Sequence, residues 1–477
     1  NAQHFISNKT QFLHNIYFDT ANRTLRKMDI GLRVRSCDNS SLQTIKTAGR
    51  VIGGLHQRPE YNEPIEGTRP ELSRFNSKIW PDGCDIKALE SELIPMFCID
   101  FQRQTWLVEM ADNTLIEVAY DKGLIEGNQG KINICEIELE LVKGDEKQLF
   151  VLGDEIASLP QVRLGNVSKA QRGYMLTDNA CFNVKPLLHS PLTSSMSVDQ
   201  ALFTNIQHGL RHIQYHENCY IESFQDDALI ELLTGIKFLH QNLKLFKQSS
   251  TTLLEAQWID DLHWLARNLS WLEQRSSYQS LLDNKGYYLR KLPKFKSLLK
   301  KLETQNNSLP NRQAVLDLLT STRYCQFILN ITQWLLQFEK NTFASEKINS
   351  INDFAYQHLS TNWEELRRAL TSENNNQLLS YQGLLEANLL IGLSLGYLFP
   401  EEKTSVFRSL WLDIKQGLKE CAMINAIEDF ADQETDLLRR AEYLKWIKRK
   451  EESLLHALEQ SKNQALLREV YWLREID

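Results

Sequence analysis

The sequence has no closely spaced cysteines. Its eight, at positions 37, 84, 98, 135, 181, 219, 325 and 421, include neither a CxxC pair nor zinc-knuckle spacing. This removes the usual basis for a thiolate metal site or a dithiol redox centre. Scattered thiols suit a reducing compartment. Long apolar runs are missing too: the longest candidate, "LLEANLLIGLSLGYLF", falls short of a membrane span and lies in a helical pattern. With no signal-peptide pattern at its start, the chain is expected to be cytoplasmic, with no membrane partner. A large excess of one charge is also absent. The net charge is −7, from 54 Lys and Arg against 61 Asp and Glu. That excludes a generic nucleic-acid coat protein, and no nucleic-acid partner is expected, although a local basic site fits within such a chain. Proline is scarce beyond Ser197, where only Pro293, Pro310 and Pro400 occur, as long helices require.

What remains is ordinary globular composition, 42% hydrophobic and 24% charged over 477 residues, enough for two to four domains. The first 181 residues read as short alternating runs separated by turn signals: "NIYFDT", "IGLRVRS", "LQTIKTAG", "TWLVEMA", "TLIEVAYDKG" and "INICEIELELVKGD". "GDEKQLFVLGDEIASL" then reads as a helix. Residues 182–196, with two prolines and a Ser/Thr cluster, read as a linker. From 197 to 477 the pattern is helical. Leu229, Leu232, Leu233, Ile236, Leu239, Leu243 and Phe246 form one stripe. "RQAVLDLLTSTRYCQFILNITQWLLQFEK" and, at the end, "QALLREVYWLREI" continue the helical pattern. The fold class is α+β multidomain: an antiparallel β-barrel or strongly curved sheet, then an all-α bundle.

Charged residues recur at period two within the strand-like runs. Arg33 and Arg35 share a face opposite Leu32 and Val34, and Lys46 lies opposite Ile45. Arg58 and Glu60 follow in "GGLHQRPEYNEPI". Arg103 and Glu117 fall on later strands, with Asp121 at a strand end. "CEIELEL" aligns Glu136, Glu138 and Glu140, and like charges in a row repel. Lys169 and Arg172 share a side if "SKAQRGY" is helical. If the strands close, a cationic wall and a carboxylate wall could face one interior. Such a cavity matches phosphate oxygens and a hard divalent ion, Mg²⁺ or Mn²⁺.

The ordered motifs "NIYFDT", "GLRVR", "TIKTAG", "GGLHQRPEYNEPI", "FQRQTWLVE", "EIELEL" and "SKAQRGYML" resemble the CYTH domain, the triphosphate tunnel metalloenzymes, over residues 3–178. "GGLHQRPEY" is especially similar to bacterial inorganic triphosphatases that carry a C-terminal CHAD domain. The resemblance implies an eight-stranded tunnel that hydrolyses inorganic tripolyphosphate with Mg²⁺ or Mn²⁺. It places Arg33, Arg35, Lys46, Arg58, Arg103, Lys169 and Arg172 on the phosphates. Lys46, Arg58, Glu60 and Lys169 form the catalytic group, and Glu136, Glu138, Glu117 and Asp121 the metal group. The family's first-strand Glu-x-Glu-x-Lys motif has no counterpart before Tyr17, and the natural protein is expected to have such a strand. Residues 197–477 resemble a CHAD domain, whose recurrent His and Arg residues line a basic surface for polyphosphate. Here Lys237, His240 and Lys244 keep basic positions, while Ile230 and Leu233 stand where His and Arg are usual. A polyphosphate or protein partner is expected there. Alternative readings are an organic triphosphate substrate (thiamine triphosphate or a nucleotide, including its cyclisation) and a non-catalytic polyphosphate scaffold.

Overall fold

The computed structural model describes residues 2–37, 40–247, 249, 256–283, 289–340, 350–371 and 380–473. They divide into two compact units, residues 1–182 with 320–340, and residues 183–319 with 341–477.

The first unit is built on β1 (Ala2–Asp19), β2 (Gly31–Cys37), β3 (Ser40–Lys46), β4 (Arg50–Ile52), β5 (Leu55–Gln57), β6 (Glu60–Ile65), β7 (Ile94–Met110), β8 (Leu115–Gly127) and β9 (Gly130–Lys143). Seven of these make one antiparallel sheet in the order β6-β3-β2-β1-β7-β8-β9, and β4 and β5 form a separate hairpin. The register decides what periodicity alone leaves open. Tyr17 lies opposite Arg33, Arg33 opposite Thr44, and Lys46 opposite Glu60. Arg103 lies opposite Asp121, and Asp121 opposite Glu136. Directly paired residues share a face, so the two charged sets occupy one face of one sheet.

The other face is apolar. Leu32, Val34, Ile45 and Phe18 pack beneath Leu72, Phe75, Trp80 and Leu89, which come from the long connection between β6 and β7. Further along, Val108, Met110 and Ile116 pack on Leu152. Leu152 lies on α3 (Lys147–Ala157), which follows two short helices, α1 (Thr24–Lys27) and α2 (Ile86–Ser91). α4 (Lys169–Thr177) sits on the charged side. Its Tyr174 closes an apolar layer of Leu13, Tyr17, Phe97, Ile99, Phe101, Ile125 and Ile134.

The remaining helices are α5 (Val198–Ser223), α6 (Asp226–Phe246), α7 (Ala256–Asn268), α8 (Trp271–Asp283), α9 (Phe295–Ser308), α10 (Arg312–Leu319), α11 (Thr322–Lys340), α12 (Ile351–Thr371), α13 (Gln382–Leu395), α14 (Glu401–Asp432) and α15 (Leu437–Leu467). All seven residues of the α6 stripe are buried. α5 opens on a capping box formed by Ser197 and Gln200. Pro293, Pro310 and Pro400 all fall outside helices, and Pro400 is the N-cap of α14. No helix among the described residues is long and apolar enough to cross a membrane.

The run at 312–340 is two helices, because Ser321 starts a new one, its hydroxyl accepting from the Tyr324 amide at 3.3 Å. The second of these, α11, joins the first unit. α15 ends at Leu467, so residues 468–473 are not helical; residues 474–477 lie outside the described set. Residues 182–196, expected to be a linker, lack regular structure. Leu187 packs on Phe238, Leu390 and Leu393, and the Ser190 amide donates to the Leu393 carbonyl at 2.9 Å.

Candidate active site

β8 and β9 bring three carboxylates together. One oxygen each from Asp121, Glu136 and Glu138 lie within 4.8 Å of one another. Asp121 is mid-strand rather than at a strand end, because Gly123 stays in the ladder opposite Phe101 and Ile134 instead of turning. It is fully buried, and a buried charge must be paired. Arg103 supplies a fork, its Nε to Asp121 Oδ1 and its Nη2 to Oδ2, both at 2.7 Å. The same Nη2 reaches Glu138 Oε2 at 2.5 Å.

α4 supplies the remaining counter-charges. Ser168 caps it, accepting from the Gln171 amide at 3.2 Å. Gly173 lets it lie on the sheet: a Cβ there would fall 2.1 Å from the Phe97 ring. Lys169 Nζ then stands 2.7 Å from both Asp121 Oδ2 and Glu138 Oε1 and also contacts Glu136, while Arg172 pairs with Glu136. Burial pushes the Glu138 carboxyl up, but Lys169 and Arg103 more than reverse this and hold it down at about 2. Burial likewise opposes charge on Lys169, and Glu138, Glu136 and Asp121 raise its pKa despite it.

β2, β3 and β6 carry the cationic wall. Lys46 Nζ lies 2.7 Å from Glu60 Oε2, and Arg33 Nη2 lies 3.3 Å from Glu60 Oε1. Burial raises the Glu60 carboxyl, but the Lys46 hydrogen bond together with the charges of Lys46, Arg33 and Arg35 outweighs it, leaving the group below its ordinary value. Arg35 differs from its neighbours. Its Nε donates to the neutral Asn15 Oδ1 at 2.8 Å, and among the described residues it has no carboxylate partner. Burial first, then Arg33 and Arg103, lower its pKa to about 10. The buried Nε atoms of Arg33 and Arg172 also lack an acceptor among the described residues. Buried N–H donors without acceptors and crowded guanidiniums describe a surface shaped for an anion.

Arg58 pairs with Asp29 at the edge of this wall. Glu117 lies opposite Glu140, along β8 and β9 from the three clustered carboxylates. Trp106 is on the opposite, apolar face against α3. Three contributors escape the sequence reading. Asn15 precedes Tyr17 by two residues, so period two could have found it. His56 lies inside "GGLHQRPEY" and feels the charges of Arg58, Glu138 and Lys46; burial and then Arg58 lower its pKa. Asp29 has no local signal.

In the second unit, Glu386 lies between Lys237 at 2.7 Å and Lys415 at 3.1 Å, so Lys237 is an ion-paired lysine rather than a freely solvated one.

One face of an antiparallel sheet thus carries a carboxylate cluster beside a cationic wall. Residues 3–174 match the CYTH domain family and residues 204–387 the CHAD domain family. The chain thus carries a CYTH domain followed by a CHAD domain. The inorganic triphosphatase of Haemophilus influenzae is 38% identical over 175 residues, covering 36% of this chain and 47% of that protein. A solved CHAD domain from the plant Ricinus communis is similar at 17% identity and TM-score 0.46, covering 60% of this chain and 96% of that one. A Hippeastrum protein, described as an adenylyl cyclase with a dominant triphosphatase activity, is similar at 18% identity and TM-score 0.26, covering 36% of this chain and 84% of that one.

Proposed function

We propose that this protein is a metal-dependent triphosphatase that cleaves inorganic tripolyphosphate to pyrophosphate and phosphate. The observation that carries the reading is the juxtaposition, on one sheet face, of acceptor-poor guanidiniums with a three-carboxylate cluster. The all-oxygen donor set of Asp121, Glu136 and Glu138 fits Mg²⁺ or Mn²⁺. Such an ion would neutralise phosphate charge and lower the pKa of a bound water. Arg33, Arg35 and Arg103 bind the equatorial and leaving oxygens as their charge grows. Lys46, Arg58, Lys169 and Arg172 hold the ends of the chain, and Glu60 orients Lys46 and Arg33. The arrangement favours an inorganic substrate because the aromatic rings near the charged layer are engaged with one another. Tyr17 stacks on Phe97 at 4.7 Å, and Tyr174 meets Phe97 edge-on at 5.1 Å.

The test is phosphate release from tripolyphosphate, ATP and thiamine triphosphate with Mg²⁺, with Mn²⁺ and with chelator. Release that is fastest from tripolyphosphate and lost in chelator is expected. Tight binding without release would identify a scaffold, and equal release from ATP would overturn the inorganic assignment.

A further inference from the structure

Between β3 and β6 the chain leaves the sheet to form the β4–β5 hairpin, which pairs Arg50 with Gln57, Val51 with His56 and Ile52 with Leu55. One end of this excursion borders the charged site. Arg58 pairs with Asp29, and His56 lies within electrostatic reach of Lys46 on β3 and Glu138 on β9. β3 and β9 lie near opposite ends of the strand order, so His56 feels charges from both walls.

The other end is clamped, and the clamp is α11. Gly53, at φ +55°, is pressed so closely on this helix that a Cβ there would lie 2.0 Å from Thr332 Oγ1. Thr332 is buried, and its hydroxyl is committed to the Ile328 carbonyl at 2.7 Å. Arg50, at the hairpin's base, pairs with Glu339 near the end of the helix. Leu55 packs with Leu164 against Phe150, Cys325, Leu329 and Leu336, so α11 and α3 share one apolar layer with the hairpin. Yet α11 lies within the stretch that matches the CHAD domain, and the chain returns to the second unit on both sides of it.

We propose that α11 is a positioning element for the phosphate site. It holds the β4–β5 hairpin in place, with Arg58 just beyond it on Asp29 and His56 within electrostatic reach of Lys46 and Glu138. Affinity for the phosphate chain therefore depends on a helix encoded in the CHAD-matching stretch. This rests on the triphosphatase reading. The effect of α11 on the site passes through the hairpin.

The test uses the full chain with Glu339→Arg, which sets two arginines against each other at a half-exposed position, and the swap Arg50→Glu/Glu339→Arg. Thr332→Phe, which pushes on Gly53, is a second, independent disruption. Hydrogen exchange at residues 50–58 and tripolyphosphate kinetics are read together. Glu339→Arg is expected to speed exchange in the hairpin and raise KM about tenfold while kcat stays within about twofold. The swap is expected to restore both. Wild-type protein that does not bind tripolyphosphate would overturn the functional reading. Wild-type binding, with Glu339→Arg and Thr332→Phe matching it in exchange and KM, would overturn the clamp alone. Faster exchange at unchanged KM would also overturn the positioning role.

Discussion

At the residue scale, Lys169 is the cation with the most carboxylate neighbours on the charged face, touching Asp121, Glu136 and Glu138. These are the same three groups that form the candidate metal set. Removing it would leave carboxylates facing one another, with Asp121 fully buried. Breaking such a pair from one side costs about 3–5 kcal/mol. Lys169→Met is therefore expected to lower the melting temperature in chelator, with recovery on adding Mg²⁺; no recovery would argue against a cation site. Glu138→Ala is expected to abolish metal-dependent turnover while leaving circular dichroism unchanged. Glu60 gives a pH dependence. Its folded-state pKa lies below the ordinary 4.5, so its contribution is present above that value and is lost as pH falls through the lower folded value. Glu60→Gln should flatten that acid limb of stability, which thermal melts across pH 3 to 5 would show. Most of these residues were legible because period two predicts which side chains share a face. Asp29 was not, since only the fold carries it to Arg58.

At the element scale, α4 reaches the carboxylates because it lies flat on Phe97. Gly173→Ala would drive a methyl into that ring and tilt Lys169 and Arg172 away. A large fall in turnover with little change in overall helicity is expected, and wild-type kinetics would show that the seat of α4 tolerates movement. In the sequence the helix stood only as a condition, with Lys169 and Arg172 sharing a side if "SKAQRGY" is helical. The extent of β8 was not. "DKG" has the composition of a turn, but ladder bonds on both sides keep Gly123 extended and so place Asp121 in mid-strand. A local signal of this kind loses to pairing whenever two neighbouring strands supply partners.

At the scale of the whole molecule, the compact units do not follow the order of the sequence. α11 covers Phe150 and Ala157 with Cys325, Leu329 and Leu336. A chain ending at Phe182 would uncover that layer. It is expected to melt below the intact protein and to bind a hydrophobic dye; equal stability would mean that the layer contributes nothing. Within the intact chain, Leu336→Ala should cost about 2–5 kcal/mol. The break between α10 and α11 was visible only as "TSTR", a weak serine and threonine signal inside a strongly helical pattern.

The sequence by itself determined the two-part architecture, the charged strand faces, the apolar α6 stripe and the basic face of α4, because each depends on periodicity and local composition. Only the tertiary structure decided that both charged sets lie on one face, that Asp121 is buried between Arg103 and Lys169, and that α11 leaves its sequence neighbours for the sheet unit. Those outcomes depend on strand register and on which apolar surfaces find each other, and neither is set by residues adjacent in sequence.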